Sequence, residues 1–190
     1  MTISFTPGGW ENAGLTHAYS WRFAPLPVFR QEADCIANSR SNDFPGGFEY
    51  MGLITDKTYS AGTRLSARMS FENLAAPMLL ISFKNEIDEQ GALRVLDYYE
   101  IVVWRNGMNV WRHFTKDRVP SHYLALGASF PLAEGEIHIV TAELRAGRML
   151  LDVDGHALDL YTPDLPERVN LGYAACEGIC RLYDMRIDEA

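Results

Sequence analysis

Apolar and polar positions alternate along the last third of the chain, and short turns separate the alternating runs. Residues 136–160 contain two such turns, one at Ala146 and Gly147 and one at Asp154 and Gly155. Glycine adopts the positive φ angles that tight hairpin turns need, and the β-branched and aliphatic residues between the turns fit a half-buried, pleated strand. The pattern predicts a β-meander, and therefore a chain that is mostly antiparallel sheet.

The same period of two appears earlier in the chain. Residues 64–71 alternate strictly, which places one set of side chains on an apolar face (Leu65, Ala67, Met69 and Phe71) and the other on a polar face (Arg64, Ser66, Arg68 and Ser70). Asn106 and Gly107 give the strongest hairpin signal. Further strands are predicted at residues 77–83, 92–105, 110–115, 123–130, 136–144, 148–153, 156–160, 169–174 and 180–187. A single open sheet of about a dozen strands tends to curl or split, so two stacked sheets are expected.

Composition narrows the possible partners. The chain has 190 residues, enough for one substantial core, and its 47% hydrophobic and 22% charged residues are ordinary for a globular protein. It carries 17 basic and 25 acidic residues and a formal net charge of -8, which repels phosphate backbones and anionic lipid surfaces. We therefore expect no nucleic-acid partner and no membrane partner.

The N-terminus and the cysteines favour a cytoplasmic location. Residues 1–10 lack the basic start and apolar run of a secretory signal, and no stretch approaches the ~20 apolar residues of a membrane helix. The three cysteines, Cys35, Cys176 and Cys180, are an odd number without framework spacing, as expected for reduced thiols in a reducing compartment.

Four short segments near the C-terminus carry a family resemblance. They are Val153-Asp154-Gly155, residues 163–166 (Pro-Asp-Leu-Pro), residues 171–178 (Leu-Gly-Tyr-Ala-Ala-Cys-Glu-Gly) and the closing residues 181–187 (Arg-Leu-Tyr-Asp-Met-Arg-Ile). Their order resembles that of the concanavalin A-like lectin/glucanase superfamily, over roughly residues 60–187. The resemblance implies an all-β, two-sheet antiparallel jelly roll in one domain, with residues 1–58 as an irregular arm and edge strands and residues 59–188 as the main jelly roll. It also implies a carbohydrate ligand, since the superfamily includes lectins, glycoside hydrolases and polysaccharide lyases.

The resemblance implies a structural calcium ion as well. In several members, a carboxylate on the final strand and backbone carbonyls of the N-terminal region hold this ion far from the sugar. Asp184 matches that carboxylate, and the turn at Gly46 and Gly47 offers carbonyls to a cation that prefers oxygen ligands. The alternative is that Asp184 is a polar residue on the outward face of an edge strand.

The glucanase signature of the superfamily is incomplete here. Glu86, Ile87 and Asp88 begin the Glu-x-Asp-x-x-Glu pattern that places a nucleophile and an acid/base on one strand, but Gly91 stands where the second glutamate belongs. A solvated acidic loop over residues 84–91 is the favoured interpretation.

The hairpin over residues 97–113 is the better candidate site. Period two places Tyr98, Glu100 and Trp104 on one face, and Trp111 and His113 share a face of the return strand. Sugar rings stack their C–H faces on aromatic rings, while their hydroxyls need charged or amide partners. We therefore predict Glu100 and His113 as catalytic candidates, and as ligand-binding residues Tyr98, Trp104, Trp111, Arg64 and Arg68. The alternative is that the aromatic rings fill the core and Glu100 pairs with Arg64 or Arg68.

Three functional hypotheses follow. The first is a carbohydrate-binding protein of bacterial saccharide utilisation that uses the concave face of the jelly roll. The second is a glycoside hydrolase or a lyase acting on an imported oligosaccharide, with Glu100 and His113 as acid and base and Arg64 or Arg68 holding a substrate carboxylate. The third is a purely structural or oligomer-forming sandwich, such as a homodimer. Exposed aromatic rings without a titratable pair would favour the first hypothesis. A titratable pair converging in a cleft would favour the second, and buried aromatic rings would favour the third.

Overall fold

Every regular element of the structure is a β-strand. The computed structural model describes residues 1–20, 29–38, 50–117 and 119–189, and in these ranges it contains fifteen strands and no helix. Accordingly, these ranges hold no helix with the length and apolar character to cross a membrane.

The strands form two sheets. Sheet A contains, in spatial order, β13 (His156–Tyr161), β12 (Arg148–Val153), β11 (His138–Arg145), β6 (Arg64–Glu72), β15 (Ile179–Asp188), β4 (Ile36–Asn38) and β3 (Phe29–Gln31), and β1 (Thr2–Ser4) also pairs with β15. Sheet B contains β10 (Val119–Ser129), β9 (Gly107–Lys116), β8 (Leu93–Trp104), β2 (Leu15–Ser20), β5 (Tyr50–Thr55), β14 (Asn170–Cys176) and β7 (Ala76–Ile87). The predicted all-β architecture of two sheets is confirmed, and the pairings between the described strands are antiparallel except for that of β2 with β8.

The main core lies between the two sheets and follows the period of two. On β6, the apolar residues predicted to share a face are all buried, and Arg64 and Arg68 are exposed on the other face. On β8, Tyr99, Ile101 and Val103 point into the same core. The cysteines are buried thiols, and burial raises the pKa of the Cys180 thiol to about 12. That shift keeps the thiol protonated and unreactive at neutral pH.

Sheet B curls until its strands form a ring. Strand β8 pairs with β7, the pairing continues through β14, β5 and β2, and Ala18 and Tyr19 of β2 return to pair in parallel with β8. The face of sheet B opposite the main core carries a second apolar cluster with members from all five strands (Ala18, Ile54, Ala76, Met78, Leu80, Val95, Tyr98, Ala174 and Cys176). Because these side chains pack together inside the ring, this face is concave, and it contains the predicted face of β8.

Two expectations about the first half of the chain need correction. Residues 1–58 are not only an arm with edge strands, because β2 and β5 lie inside sheet B, where β5 pairs with both β2 and β14. The acidic segment predicted as a loop begins as strand, since β7 continues to Ile87 and pairs with the start of β8. The carboxylate of Asp88 then accepts hydrogen bonds from the backbone N–H groups of Gln90 and Ala92, both at 2.8 Å, and so fixes the turn. The turn predicted at residues 43–47 lies outside the described residues.

The ring depends on a close approach of β14 to β5. A Cβ atom added at Gly172 would lie 2.3 Å from the carbonyl oxygen of Leu53 and 2.8 Å from a methyl carbon of Ile54. We predict that Gly172→Ala lowers the free energy of unfolding by about 1–3 kcal/mol, the usual cost of overpacking, measured by urea denaturation.

Gly127→Ala is the matched control for this prediction. Gly127 also lies in a strand of sheet B, but an added Cβ would meet its nearest atom at 3.4 Å. Equal stabilities of the two variants would contradict the close approach of β14 to β5.

Candidate functional site

The site is built on the β8–β9 hairpin, whose register places the predicted residues side by side. Tyr98 lies opposite His113, and Glu100 lies opposite Trp111. All four side chains belong to the concave face, because the alternate residues of β8 fill the main core. Tyr98, Glu100 and His113 are buried, whereas Trp104 and Trp111 are half-buried.

Glu100 and His113 form a buried pair. Glu100 Oε2 lies 2.8 Å from His113 Nε2, and the two residues are 3% and 6% exposed. Since a carboxylate oxygen accepts hydrogen bonds, we assign the proton to Nε2. The ring of Tyr98 stacks on the imidazole, with centroids 4.4 Å apart and planes 2° from parallel. Together, the stacked ring and the carboxylate fix the orientation of His113.

Tyr98 packs against His113. It was predicted to bind a ligand, but it is only 2% exposed and stacks on His113. The ring therefore supports His113, and its contact with a sugar stays a prediction.

A cleft of about 250 Å³ opens beside Glu100 on the concave face. Its polar and aromatic lining comes from Glu100, Trp104, Asn109, Trp111 and Glu177, and its apolar lining from Leu74, Ala76, Met78, Val102 and Cys176. His113 instead lines a smaller space of about 30 Å³ together with Tyr98. Glu100 therefore separates His113 from the cleft, and any effect of His113 on a ligand there acts through Glu100.

Two polar atoms of this cleft lack hydrogen-bond partners. Glu100 Oε1 and Trp104 Nε1 are both shielded from solvent, and neither meets a partner among the residues that the structure describes. A buried polar atom without a partner costs roughly 1–3 kcal/mol. The cleft can therefore gain free energy from a ligand that donates to Glu100 and accepts from Trp104.

The other side of the hairpin is fixed by a second ion pair. Arg112 Nε donates to Asp164 Oδ2 at 2.7 Å, the Tyr99 hydroxyl donates to Oδ1, and the guanidinium lies 4.5 Å from the centre of the Phe83 ring. Burial acts to raise the pKa of Asp164, but the hydrogen bonds from Tyr99 and Arg112 outweigh it and lower that pKa. The alternation of β9 thus places His113 on the concave face and anchors its neighbour, Arg112, on the opposite side.

The predicted arginines do not join this site. Arg64 and Arg68 lie on β6 in sheet A, on the face that points away from the main core, whereas Glu100 lies in sheet B. Neither arginine can pair with Glu100 or reach the cleft, because the whole sandwich separates them. The sequence shows which face of β6 they occupy but not which sheet contains β6.

Asp184 lies on the same outer face of sheet A. Its carboxylate accepts a hydrogen bond from Arg68 Nη1 at 3.0 Å. Within the described ranges, no group of three His, Cys, Asp or Glu side chains is placed to hold a metal ion. Gly46 and Gly47 lie outside the described residues, and calcium binding stays a prediction.

Two polar residues of the cleft, Asn109 and Glu177, were absent from the predictions. Asn109 lies two positions before Trp111 on β9, so the period of two was sufficient to place it on the concave face. Glu177 lies in the tight turn between β14 and β15, and the pairing of β14 with β7 and of β7 with β8 inside sheet B brings that turn to the cleft.

Comparison with solved structures identifies the fold. β-Agarase A from Zobellia galactanivorans superimposes with a TM-score of 0.69 at 10% sequence identity, over 100% of this chain and 90% of that chain. The carbohydrate-binding module CBM66 from Bacillus subtilis superimposes with a TM-score of 0.65 at 9% identity, over 93% of this chain and 96% of that chain. A structure described with the words "prominent members of the human gut microbiota express endo-acting O-glycanases to initiate mucin breakdown" gives a TM-score of 0.71 at 10% identity, over 100% and 98% of the two chains.

These similarities confirm the concanavalin A-like jelly roll, and at such low identity they establish the fold alone. No family model matches the sequence. No curated protein matches it either.

The ion pair of Arg112 and Asp164 leads to a prediction about stability. The lowered pKa of Asp164 means that its contribution is complete above about pH 4, the ordinary range of an Asp carboxyl, and is lost as the pH falls through the folded-state pKa. We expect Asp164→Asn to lower the free energy of unfolding at pH 7 by about 1–2 kcal/mol. The loss is smaller than for a fully buried pair, because the Asp164 side chain is 43% exposed.

The measurement is urea denaturation of both proteins between about pH 7 and pH 3. The stability difference between them should shrink towards the acid end. Asp159→Asn is the control, since Asp159 forms an exposed 3.4 Å pair with Arg148. A constant difference across this pH range would contradict the role assigned to Asp164.

Proposed function

We propose that this protein binds a carbohydrate in the cleft on the concave face of sheet B, as part of bacterial saccharide utilisation. The observation that carries the proposal is the combination of Trp104, Trp111 and Glu100 in one cleft, where Oε1 of Glu100 has no hydrogen-bond partner among the described residues. Carbohydrate-binding and carbohydrate-degrading proteins among the solved structures of this fold support the same ligand class.

The chemistry of the cleft suits a sugar ring. Indole rings provide flat apolar surfaces for the C–H faces of a sugar, while Glu100 accepts hydrogen bonds from hydroxyls and Asn109 both donates and accepts. The cleft volume of about 250 Å³ lies below the roughly 300–1,000 Å³ of sites that enclose a drug-sized ligand. This size favours one sugar ring held at the cleft, with the rest of a longer glycan outside it.

A catalytic role is the second candidate. The observation that favours it is the 2.8 Å pair of Glu100 and His113, because a carboxylate oriented by a histidine beside a cleft is a candidate acid or base. A hydrolase also needs a second carboxylate, and Glu177 lines the same cleft.

Product analysis distinguishes the two candidates. Once a binding glycan is known, it is incubated with the protein and analysed by mass spectrometry for shortened or unsaturated products. Products formed by the wild type and not by Glu100→Gln would establish the enzyme, and an unchanged glycan would leave the binding function.

A thermal-shift screen against mono- and oligosaccharides tests the binding proposal. A ligand at ~100 times its Kd stabilises the native state by about 2.7 kcal/mol, which corresponds to a rise in Tm of about 5–10 °C for a chain of this size. We expect Trp104→Ala and Glu100→Gln to abolish the shift, since they remove a stacking surface and a hydrogen-bond acceptor from the cleft.

Tyr161→Ala is the control for the aromatic deletion. Tyr161 is 75% exposed and lies on β13 in sheet A, so its loss should leave the shift unchanged. A glycan shift that survives Trp104→Ala would place the binding site elsewhere, and the absence of any glycan shift would favour a structural role. A shift with calcium alone would support only the predicted site at Asp184.

A further inference from the structure

The rim of the cleft carries a second carboxylate, that of Glu177. The residue lies in the two-residue turn between β14 and β15, where its φ angle is +57° and that of Gly178 is +26°. Residues other than glycine seldom adopt positive φ angles, and such strained positions cluster at functional sites. The strained backbone therefore indicates a functional role for the Glu177 side chain.

Buried Asn38 holds this turn in place. Asn38 Nδ2 donates to the carbonyl oxygen of Gly178 at 2.9 Å, and its Oδ1 accepts from the backbone N–H of Cys180 at 2.7 Å. These two hydrogen bonds connect the turn to β4 in sheet A. Glu177 is therefore presented to the cleft by a fixed backbone.

No basic side chain balances the charge of Glu177 in the described part of the chain. It forms no ion pair there, and neither lysine nor arginine appears in the described lining of the cleft. Burial raises the pKa of its carboxyl, and no cation among the described residues acts against that effect. A half-buried carboxylate of this kind is stabilised when a cation binds beside it.

Glu177 shares the cleft with Glu100, whose Oε1 has no partner among the described residues, and with the indoles of Trp104 and Trp111. An ammonium group satisfies this combination of groups, because it donates charge-assisted hydrogen bonds to carboxylates and is attracted to the face of an indole. A divalent metal ion suits it less, since such ions need several oxygen ligands and half of this lining is apolar. The net charge of -8 also attracts cationic ligands and repels anionic ones.

We propose that the sugar recognised by the cleft carries a protonated amine, so that the ligand class is amino sugars rather than uronic acids or neutral sugars. Glu177 and Glu100 bind the ammonium group, and Trp104 stacks on the ring. This inference rests on the proposed carbohydrate function and adds the chemical class of the ligand to it.

The test compares three β-1,4-linked oligosaccharides of equal length, built from glucosamine, N-acetylglucosamine and glucose. Their binding is measured by titration calorimetry at about pH 6.5, below the ~7.7–8.0 at which a typical α-amino group loses its proton. We expect the glucosamine oligomer to bind about tenfold more tightly than the other two. One additional charge-assisted contact of about 1.4 kcal/mol corresponds to that factor.

Glu177→Gln should reduce this preference to about twofold or less, and Glu100→Gln should weaken binding of the glucosamine oligomer as well. Glu134→Gln is the charge-matched control: Glu134 is exposed and outside the described lining of the cleft, so its substitution should preserve the tenfold preference. Thermal denaturation of each variant shows whether it is folded.

The outcomes separate the two proposals. In one outcome, a neutral oligomer binds as tightly as the glucosamine oligomer or more tightly, and loses that binding in Trp104→Ala. That result would overturn the amine inference and leave the carbohydrate function standing. A preference for glucosamine that survives Glu177→Gln would overturn the inference as well. If no amino sugar binds, the inference fails, and the wider glycan screen then decides the proposed function separately.

Discussion

The candidate site depends on a constraint on strand β8, which pairs with β7, β9 and β2 at once. To satisfy the third pairing, sheet B must curl into a ring, and the glycines at positions 52 and 172 allow the necessary approach of β5 and β14. Because successive residues of β8 point to opposite faces, the same strand contributes Ile101 to the main core and Glu100 to the concave face. The curvature that completes the sheet is therefore also what encloses the polar residues of the site.

The energetics of the site favour a role in binding. Burying a carboxylate costs several kcal/mol unless hydrogen bonds compensate for the loss of water. In the part of the chain that the structure describes, only one of the two oxygens of Glu100 has a partner, His113. The opposite side of the hairpin shows how this chain completes a purely structural charge pair, because Asp164 receives hydrogen bonds from both Arg112 and Tyr99. Both oxygens of Asp164 thus accept hydrogen bonds, whereas only one oxygen of Glu100 has a partner among the described residues. This difference is the physical reason to infer that a ligand binds the other oxygen of Glu100.

Period-two alternation was enough to predict the faces of the strands but not the partners of each face. Tyr98, Glu100 and Trp104 were correctly placed together, because they lie on one strand, and the Asn106–Gly107 turn brought Trp111 and His113 beside them. Arg64 and Arg68 were wrongly associated with Glu100, because alternation does not reveal that β6 and β8 belong to different sheets. Glu177 was missed for a related reason: its turn reaches the cleft through the pairing of β14 with β7 and of β7 with β8, and alternation along one strand does not reveal which strands pair.

The central claim is that a glycan contacts the β8–β9 hairpin at the tryptophan cleft. The most direct measurement is the position of the indole N–H resonances in the ¹H–¹⁵N spectrum of the labelled protein during titration with the glycan that gives the largest thermal shift. The account predicts that the resonances of Trp104 and Trp111 move together with the same Kd, while that of Trp10, whose N–H already donates to Gln31 at 2.9 Å, stays in place. Saturable movement of the Trp10 resonance without movement of the Trp104 and Trp111 resonances would contradict it.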